Sequence, residues 1–163
     1  MASRTASPRW LSAEEQQAWR AYLGMSVRLF DLLDRELQRD SGMPHGYYEI
    51  LVRLSEAPDR ALRMSDLADR SLSSRSRISH AVARLEERGW VQRRPCAGDA
   101  RGLLAVLTDE GFAALADAAP GHVEAVRENF MDLLTPAQVK ALRGIGETVL
   151  GHLGGEEALL NRP

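Results

Sequence analysis

The chain has 163 residues, 44% of them hydrophobic and 27% charged, with a formal net charge of −2 and one cysteine. That balance suits a single globular domain with a real core. It excludes an intramolecular disulfide and a wholly basic nucleic-acid coat, and no apolar run approaches the ~20 residues that span a bilayer.

The first ten residues, loose and polar, lack the continuous apolar segment of an export signal, so a cytoplasmic protein is expected. Ser12 followed by Glu15 is a capping box that starts a helix. Trp19, Tyr22, Leu23, Ser26, Leu29, Phe30, Leu33 and Leu37 then recur at three- and four-residue steps, to about Arg39. The stripe is broad enough to require partners on more than one side. A second helix is read from His45, with Tyr47, Ile50, Leu51 and Leu54 inward, ending at Ala57-Pro58. Leu62-Arg63-Met64 reads as a short strand and Ser65 as the cap of a third helix running to about Arg70.

Ser74 is read as the N-cap of a fourth helix with Ile78, Val82 and Leu85 on a narrow inner stripe, closed by Gly89 in the left-handed position of a helix C-terminus. Trp90–Arg94 and Leu103–Leu107 read as paired strands joined by the turn-rich segment Pro95–Gly102. Thr108 caps another helix, which Pro120-Gly121 is expected to kink. Thr135 with Pro136 and Gln138 is a second capping box, and it opens a last helix carrying Val139, Leu142, Ile145, Val149 and Leu153. The tail beyond Gly154-Gly155 reads as ragged. The fold class is thus mainly α with a small β-wing: one domain over residues 1–163, with flanking helices at 12–40 and 121–160 around a winged helix-turn-helix at 45–120. Within it the recognition helix is expected at about 74–88 and the wing at about 91–107.

Charge singles out the middle of the chain. Residues 70–101 hold eight arginines against Glu86, Glu87 and Asp99, a local charge of +5 in an otherwise acidic chain. A compact basic element of this kind is the footprint of nucleic-acid binding, and helix-turn-helix with hairpin points to double-stranded DNA. Arg75, Ser76 and Arg77 occupy the first turn of the fourth helix, with Ser79 and His80 a turn later. Helix N-termini favour phosphate, and arginine can grip guanine through two acceptors. Arg84 and Arg88 are assigned to phosphate or to salt bridges with Glu86 or Glu87, Arg94 to the DNA face, and Arg101 at the wing tip to a minor groove.

Leu67, Ala68, Leu72, Ser76, Ser79, Val82, Leu85, Glu86, Gly89, Trp90, Val91 and Arg93, followed by Asp99, Arg101, Leu107, Thr108 and Gly111, resemble the pattern of the multiple-antibiotic-resistance-regulator (MarR) family. The resemblance implies a homodimer with interlocked terminal helices, here through Leu23, Leu33, Leu142, Ile145 and Val149, on a pseudo-palindromic operator. It implies that Asp99 orients a wing arginine. It also implies a small aromatic or lipophilic ligand that weakens DNA binding, in a cleft to which Trp19, Tyr22, Met25, Leu29, His45, Tyr47 and Tyr48 belong. The function expected is a ligand-released repressor.

Two alternatives use other residues. One is a dimeric protein-interaction module of the same fold. The other is a thiol redox sensor built on Cys96, with Arg93 and Arg94 near it, although an incidental exposed thiol is the simpler reading. No enzyme, cofactor or metal is expected. His122-Val123-Glu124 imitates one half of a zinc-deaminase signature without its cysteine pair, the four histidines lack ligand spacing, and no nucleophile or phosphate-loop motif is present.

Overall fold

A computed structural model describes residues 8–71, 73–96 and 99–154, with backbone alone at Ala100 and Arg101. The element order is α1 (Ala13–Ser41), α2 (His45–Ser55), β1 (Ala61–Arg63), α3 (Met64–Arg70), α4 (Arg75–Glu87), β2 (Val91–Cys96), β3 (Asp99–Leu107), α5 (Asp109–Asn129) and α6 (Pro136–Leu153), with short 3-10 turns at Pro58–Arg60 and Met131–Leu133. The strands form one antiparallel sheet in the order β1-β3-β2. This is a winged helix-turn-helix, mostly helical with a small sheet.

Local chemistry sets most of the boundaries. Ser12 and Glu15 close a reciprocal capping box on α1, and Thr135 and Gln138 do the same on α6. Ser74 accepts from the Arg77 amide and Thr108 from the Gly111 amide. Gly42 and Gly89 take positive φ, 63° and 73°, where α1 and α4 end. One core lies beneath the wing and the helix-turn-helix. Leu51, Leu54, Leu67, Val82, Leu85 and Ala105 are fully buried there, drawn from α2, α3, α4 and β3. The C-terminal half of α1 packs along α5 through Leu33 and Leu37, whereas α6 contains no buried residue.

Thr108 joins the wing to α5. Its amide donates to the Trp90 carbonyl at 3.1 Å, and its hydroxyl donates to the Gly89 carbonyl at 2.7 Å while accepting from the Gly111 amide at 3.0 Å. A Cβ on Gly111 would fall inside the van der Waals envelope of the Trp90 carbonyl, so only glycine allows α5 to start this close to the wing.

Several expectations are corrected. Ser65 does not cap α3: the helix begins two residues earlier than that cap would set, its N-cap is Arg63 with no side-chain cap bond, and the Ser65 hydroxyl bonds to the Asp66 carboxylate. The strand accordingly ends at Arg63, and Met64 is helical. The wing loop is shorter than the read Pro95–Gly102, because pairing continues through Cys96↔Asp99 past an irregularity at Pro95/Cys96. Pro120 does not divide α5, which runs unbroken to Asn129. Proline removes one helical hydrogen bond, but Ala118 and Ala125 on either side are buried, which holds the helix together across the gap. The expected start of a flanking segment at 121 therefore falls in mid-helix. The arm at 1–7, Leu72, and the tail from 155 lie outside the described residues.

Candidate nucleic-acid interface

Helix α4 owes its orientation to Ile78, Val82 and Leu85, which point into the core and leave the opposite face outward. That outer face carries Arg75, Ser76, Arg77, Ser79 and His80, all exposed. The Ser74 cap uses one amide of the first turn, and the helix dipole still favours an anion at this end. Glu86, near the other end of the helix, accepts from the Arg93 amide at 2.8 Å. The Arg93 Nε lies 3.3 Å from the other oxygen of Glu86, an ion pair at an angle that makes no hydrogen bond. The Arg93 Nη2 donates to the Ser79 carbonyl at 2.8 Å. Two bonds thus tie the recognition helix to strand β2.

The remaining charges sort themselves. Arg84 pairs with Glu87 at 2.8 Å on the helix surface. Arg88 does not reach Glu86 or Glu87. It donates to the Gly42 carbonyl at 3.1 Å and lies 4.9 Å from the Trp90 ring centre and 5.7 Å from that of Tyr47, which pins the C-terminus of α4 to the α1–α2 corner. Arg94 stays exposed and bonds to Gln92. Asp99 accepts from Arg63 of β1 at 2.9 Å and from the Gly102 amide at 3.1 Å. Donating this hydrogen bond to Asp99 raises the pKa of the Arg63 guanidinium further. Residue spacing alone did not mark Arg63, because it lies 36 positions from its partner. The backbone of Arg101 belongs to β3, while its side chain lies outside the described residues. Cys96, expected to be exposed, is buried beside Gly102, because the strand pairing carries it inward. Reactive thiols need access, and burial of this one runs against a redox role.

A model of the MarR family matches residues 41–102, the segment from the α1–α2 corner through the wing. The regulator PecS of Dickeya dadantii is 36% identical over 70% of this chain and 69% of its own length. The chain belongs to the MarR family. It is a DNA-binding transcriptional regulator. The repressor YetL of Bacillus subtilis is 35% identical, the match covering 65% of each protein, so this chain spans about two thirds of the curated relatives it matches. Sco3205, a MarR family regulator of Streptomyces coelicolor solved in complex with DNA, is 55% identical over 94% of this chain and 96% of that one, with a TM-score of 0.88.

The residues assigned to a ligand pocket do not form one group. Trp19 and Tyr22 stack on each other, ring centres 5.8 Å apart, on an exposed stretch of α1 that also carries Met25. Leu29 and Tyr47 are half-buried, Tyr48 is buried in the core, and Tyr47 faces Arg88. A different cluster forms where α1, α2 and α5 meet. His122 of α5 lies 4.4 Å from the Tyr48 ring and 5.3 Å from the His45 ring, and Phe30 meets His45 edge-on at 5.7 Å. The Asp34 carboxylate caps α2 by accepting from the His45 amide at 2.8 Å. Burial lowers the pKa of His122 below the usual imidazole value and His45 adds to the effect, while Glu49 opposes it. Burial pushes the Tyr48 phenol up, helped by Glu49 and Glu56. Beside His122 a cleft of about 70 Å³ opens between α1 and α5, lined by Leu33, Leu37, Asp117, Ala118 and Ala125 among others.

Leu33, expected at a subunit contact, is consumed within its own chain because it faces α5. Leu23, Ile145 and Val149 remain exposed and Leu142 half-buried. Among the described residues, no helix is long and apolar enough to cross a membrane, and none gathers three or more His, Cys, Asp or Glu side chains for a metal.

Proposed function

We propose that this regulator acts as a homodimeric repressor. Two α4 helices enter successive major grooves of a pseudo-palindromic operator, and the wing tips reach the flanking minor grooves. The observation that carries this reading is the outward face of α4. Its first turn is capped by Ser74 and presents Arg75, Ser76 and Arg77, with Ser79 and His80 following and the wing braced alongside by Arg93. Arg94, Asp99 and Arg101 belong to the wing side of the same surface, and Arg84 to its edge. The high identity across nearly both chains to Sco3205, solved in complex with DNA, supports DNA binding, and YetL, named a repressor, supports the direction of control. A dimer places half-sites about one helical turn, ~34 Å, apart.

Dimerisation is supported by Leu23, Ile145 and Val149, left open to solvent on α1 and α6. Folded helices place such residues against a partner, and obligate dimers join through large apolar faces. The flanking helices 12–40 and 121–160 are assigned to this contact, and 45–120 to the winged unit. For a small aromatic or lipophilic effector, the region around His45, Tyr47, Tyr48 and His122 supplies aromatic walls with polar handles. The adjoining cleft is well below the ~300 Å³ of a drug-sized site, so an effector must open it and thereby favour one arrangement of the protein over another.

The test is enrichment of bound fragments from genomic DNA, followed by a mobility shift on the DNA upstream of the regulator's own gene. Half-sites one turn apart, with affinity falling as salt rises, are the expected result. Binding without salt dependence or without any preferred sequence overturns it.

A further inference from the structure

A protein that places a helix in the major groove and a hairpin tip in the adjoining minor groove must straddle the phosphate ridge between them. In this molecule the straddled space is an open cleft of about 360 Å³ between the β1–α3 junction, the first turns of α4 and the wing. Arg63, Arg75 and Arg93 line it with the Ser65 and Ser79 residues, and so does one carboxylate, Asp99. A carboxylate facing a phosphate ridge is electrostatically misplaced unless it is used to hold something else. Asp99 sits 2.9 Å from the Arg63 Nη1, and the pair is only about half-buried, with side-chain exposures of 47% and 41%. Pairs that open to water contribute little to fold stability.

Gly102 shows that the carboxylate is deliberately accommodated. A Cβ at this position would lie 2.6 Å from the Asp99 Oδ2, 2.9 Å from its Cγ and 3.0 Å from the Cys96 Sγ. The absence of a side chain at 102 is what lets Asp99 fold back onto its own strand and reach across to Arg63.

We propose that Arg63 is a phosphate-seating residue of the DNA interface and that Asp99 is a positioning residue acting through it. The arginine grips the ridge between the two grooves, with Arg75 and Arg93 on the facing walls of the cleft. This rests on the assignment of α4 and the wing to DNA, and it adds a third contact zone that neither helix nor wing tip supplies. A guanidinium carries five donors in a rigid planar fork and the bond to Asp99 is made through Nη1, so arginine can hold a carboxylate and a phosphate together in a fixed geometry that the flexible point charge of lysine does not impose. Fixing the side chain beforehand removes part of the ordering cost of binding.

The experiment uses the full chain and a duplex that the wild type enriches from a random-sequence pool, with affinity measured by fluorescence anisotropy over a range of salt concentrations. Arg63→Ala is expected to weaken binding on the order of tenfold. It should also flatten the log–log salt dependence by about 0.9 for each phosphate that is no longer neutralised. Arg63→Lys should keep most of that slope while losing affinity. Asp99→Asn, although it removes negative charge from a DNA-facing surface, should weaken binding by about two- to tenfold, and Gly102→Ala should do the same. In an Arg63→Ala background neither change should weaken binding further, because both act through Arg63.

Unchanged affinity and slope in Arg63→Ala overturn the proposal. So does Asp99→Asn tightening binding equally with and without Arg63, the signature of simple repulsion, and so does a fall in thermal midpoint with DNA binding intact. If the wild type enriches no duplex, the DNA assignment fails as well; if only the variants misbehave, that assignment stands and the role of Arg63 does not.

Discussion

Helices α4 and α6 carry the same kind of apolar periodicity and meet opposite fates. In α4 the stripe of Ile78, Val82 and Leu85 is buried within the chain. In α6 the corresponding residues stay in water, Ile145 at 63% exposure and Val149 at 50%. The stretch of α1 ahead of Leu33 behaves like α6, leaving Trp19, Tyr22 and Val27 open. An amphipathic pattern states that a helix needs a partner but does not state where that partner is. The winged unit satisfies its own pattern, whereas the flanking helices leave much of theirs exposed within the chain. An apolar surface of this extent on a lone protomer marks an interaction site.

The sharpest way to break this comparison is to end the chain before Thr135. In a self-sufficient protomer the loss of α6, which has no fully buried residue, costs little. If α6 completes a shared core, the product is insoluble or unfolded, and that outcome is expected. Light scattering of the full chain provides the matching control: a stable species near 18.0 kDa at micromolar concentration would overturn the dimer.

Next in size is a pair of apolar truncations, one in the core and one on the exposed face of α6. Leu85→Ala should cost about 2–5 kcal/mol, since it empties a fully buried site. Its effect on the unfolding midpoint should be the same at every protein concentration. Ile145→Ala should destabilise only in a concentration-dependent manner, because what it weakens is association. Equal concentration dependence in the two variants would erase the distinction between the regions.

Arg77→Ala should leave unfolding unchanged and cost about 1–3 kcal/mol of DNA affinity, with relaxed preference at one base pair if the arginine reads a base. Anisotropy titrations against single-base operator variants measure both quantities.

The smallest effect concerns pH. His122 has a lowered pKa in the folded state, so the unfolded chain binds the proton more readily. Its contribution to stability is therefore present above the ordinary imidazole value of 6.5 and is lost as pH falls through the lowered folded value. Denaturant midpoints from about pH 8 down to about pH 5 should decline, and less so in His122→Asn. Burial of the imidazole sets most of the slope; His45 adds to it and Glu49 opposes it. Identical profiles in the two proteins would remove His122 from the account.

The parts of the fold legible in the sequence were those decided within one turn of helix. Ser12 with Glu15, Ser74, Gly89, Thr108 and Thr135 with Gln138 mark helix ends because a short side chain, or the lack of one, acts on amides three or four residues away. Ser65 misled because its hydroxyl has a closer partner in the next residue, Asp66. Pro120 does not end the helix, because packing along α1 outweighs one missing hydrogen bond. The exposed basic face of α4 was legible from charge and period together. The setting of Asp99 was not, since Arg63 is brought to it only by the pairing of β1 with β3. The meeting of His45 with His122 depends likewise on how α5 crosses α2, and the inward turn of Cys96 depends on strand pairing that continues two residues beyond the expected loop boundary.

The joint at Thr108 and Gly111 has a mechanical consequence. Because α5 is welded to the base of the wing through Trp90 and Gly89, the two form a bent lever with its fulcrum at Thr108. One arm runs fourteen residues along α5 to His122, about 20 Å at helical rise. The other runs eight residues up β3 from Leu107 to Asp99, about 26 Å at strand rise. If the two arms turned as one rigid body about this joint, a sideways shift of 1 Å at the α1–α5 cleft would arrive at the Asp99 end of the hairpin as about 1.3 Å, by the ratio of the two arms. Such a linkage would pass displacement outward slightly enlarged, and a methyl group at position 111 would pry it apart at the pivot.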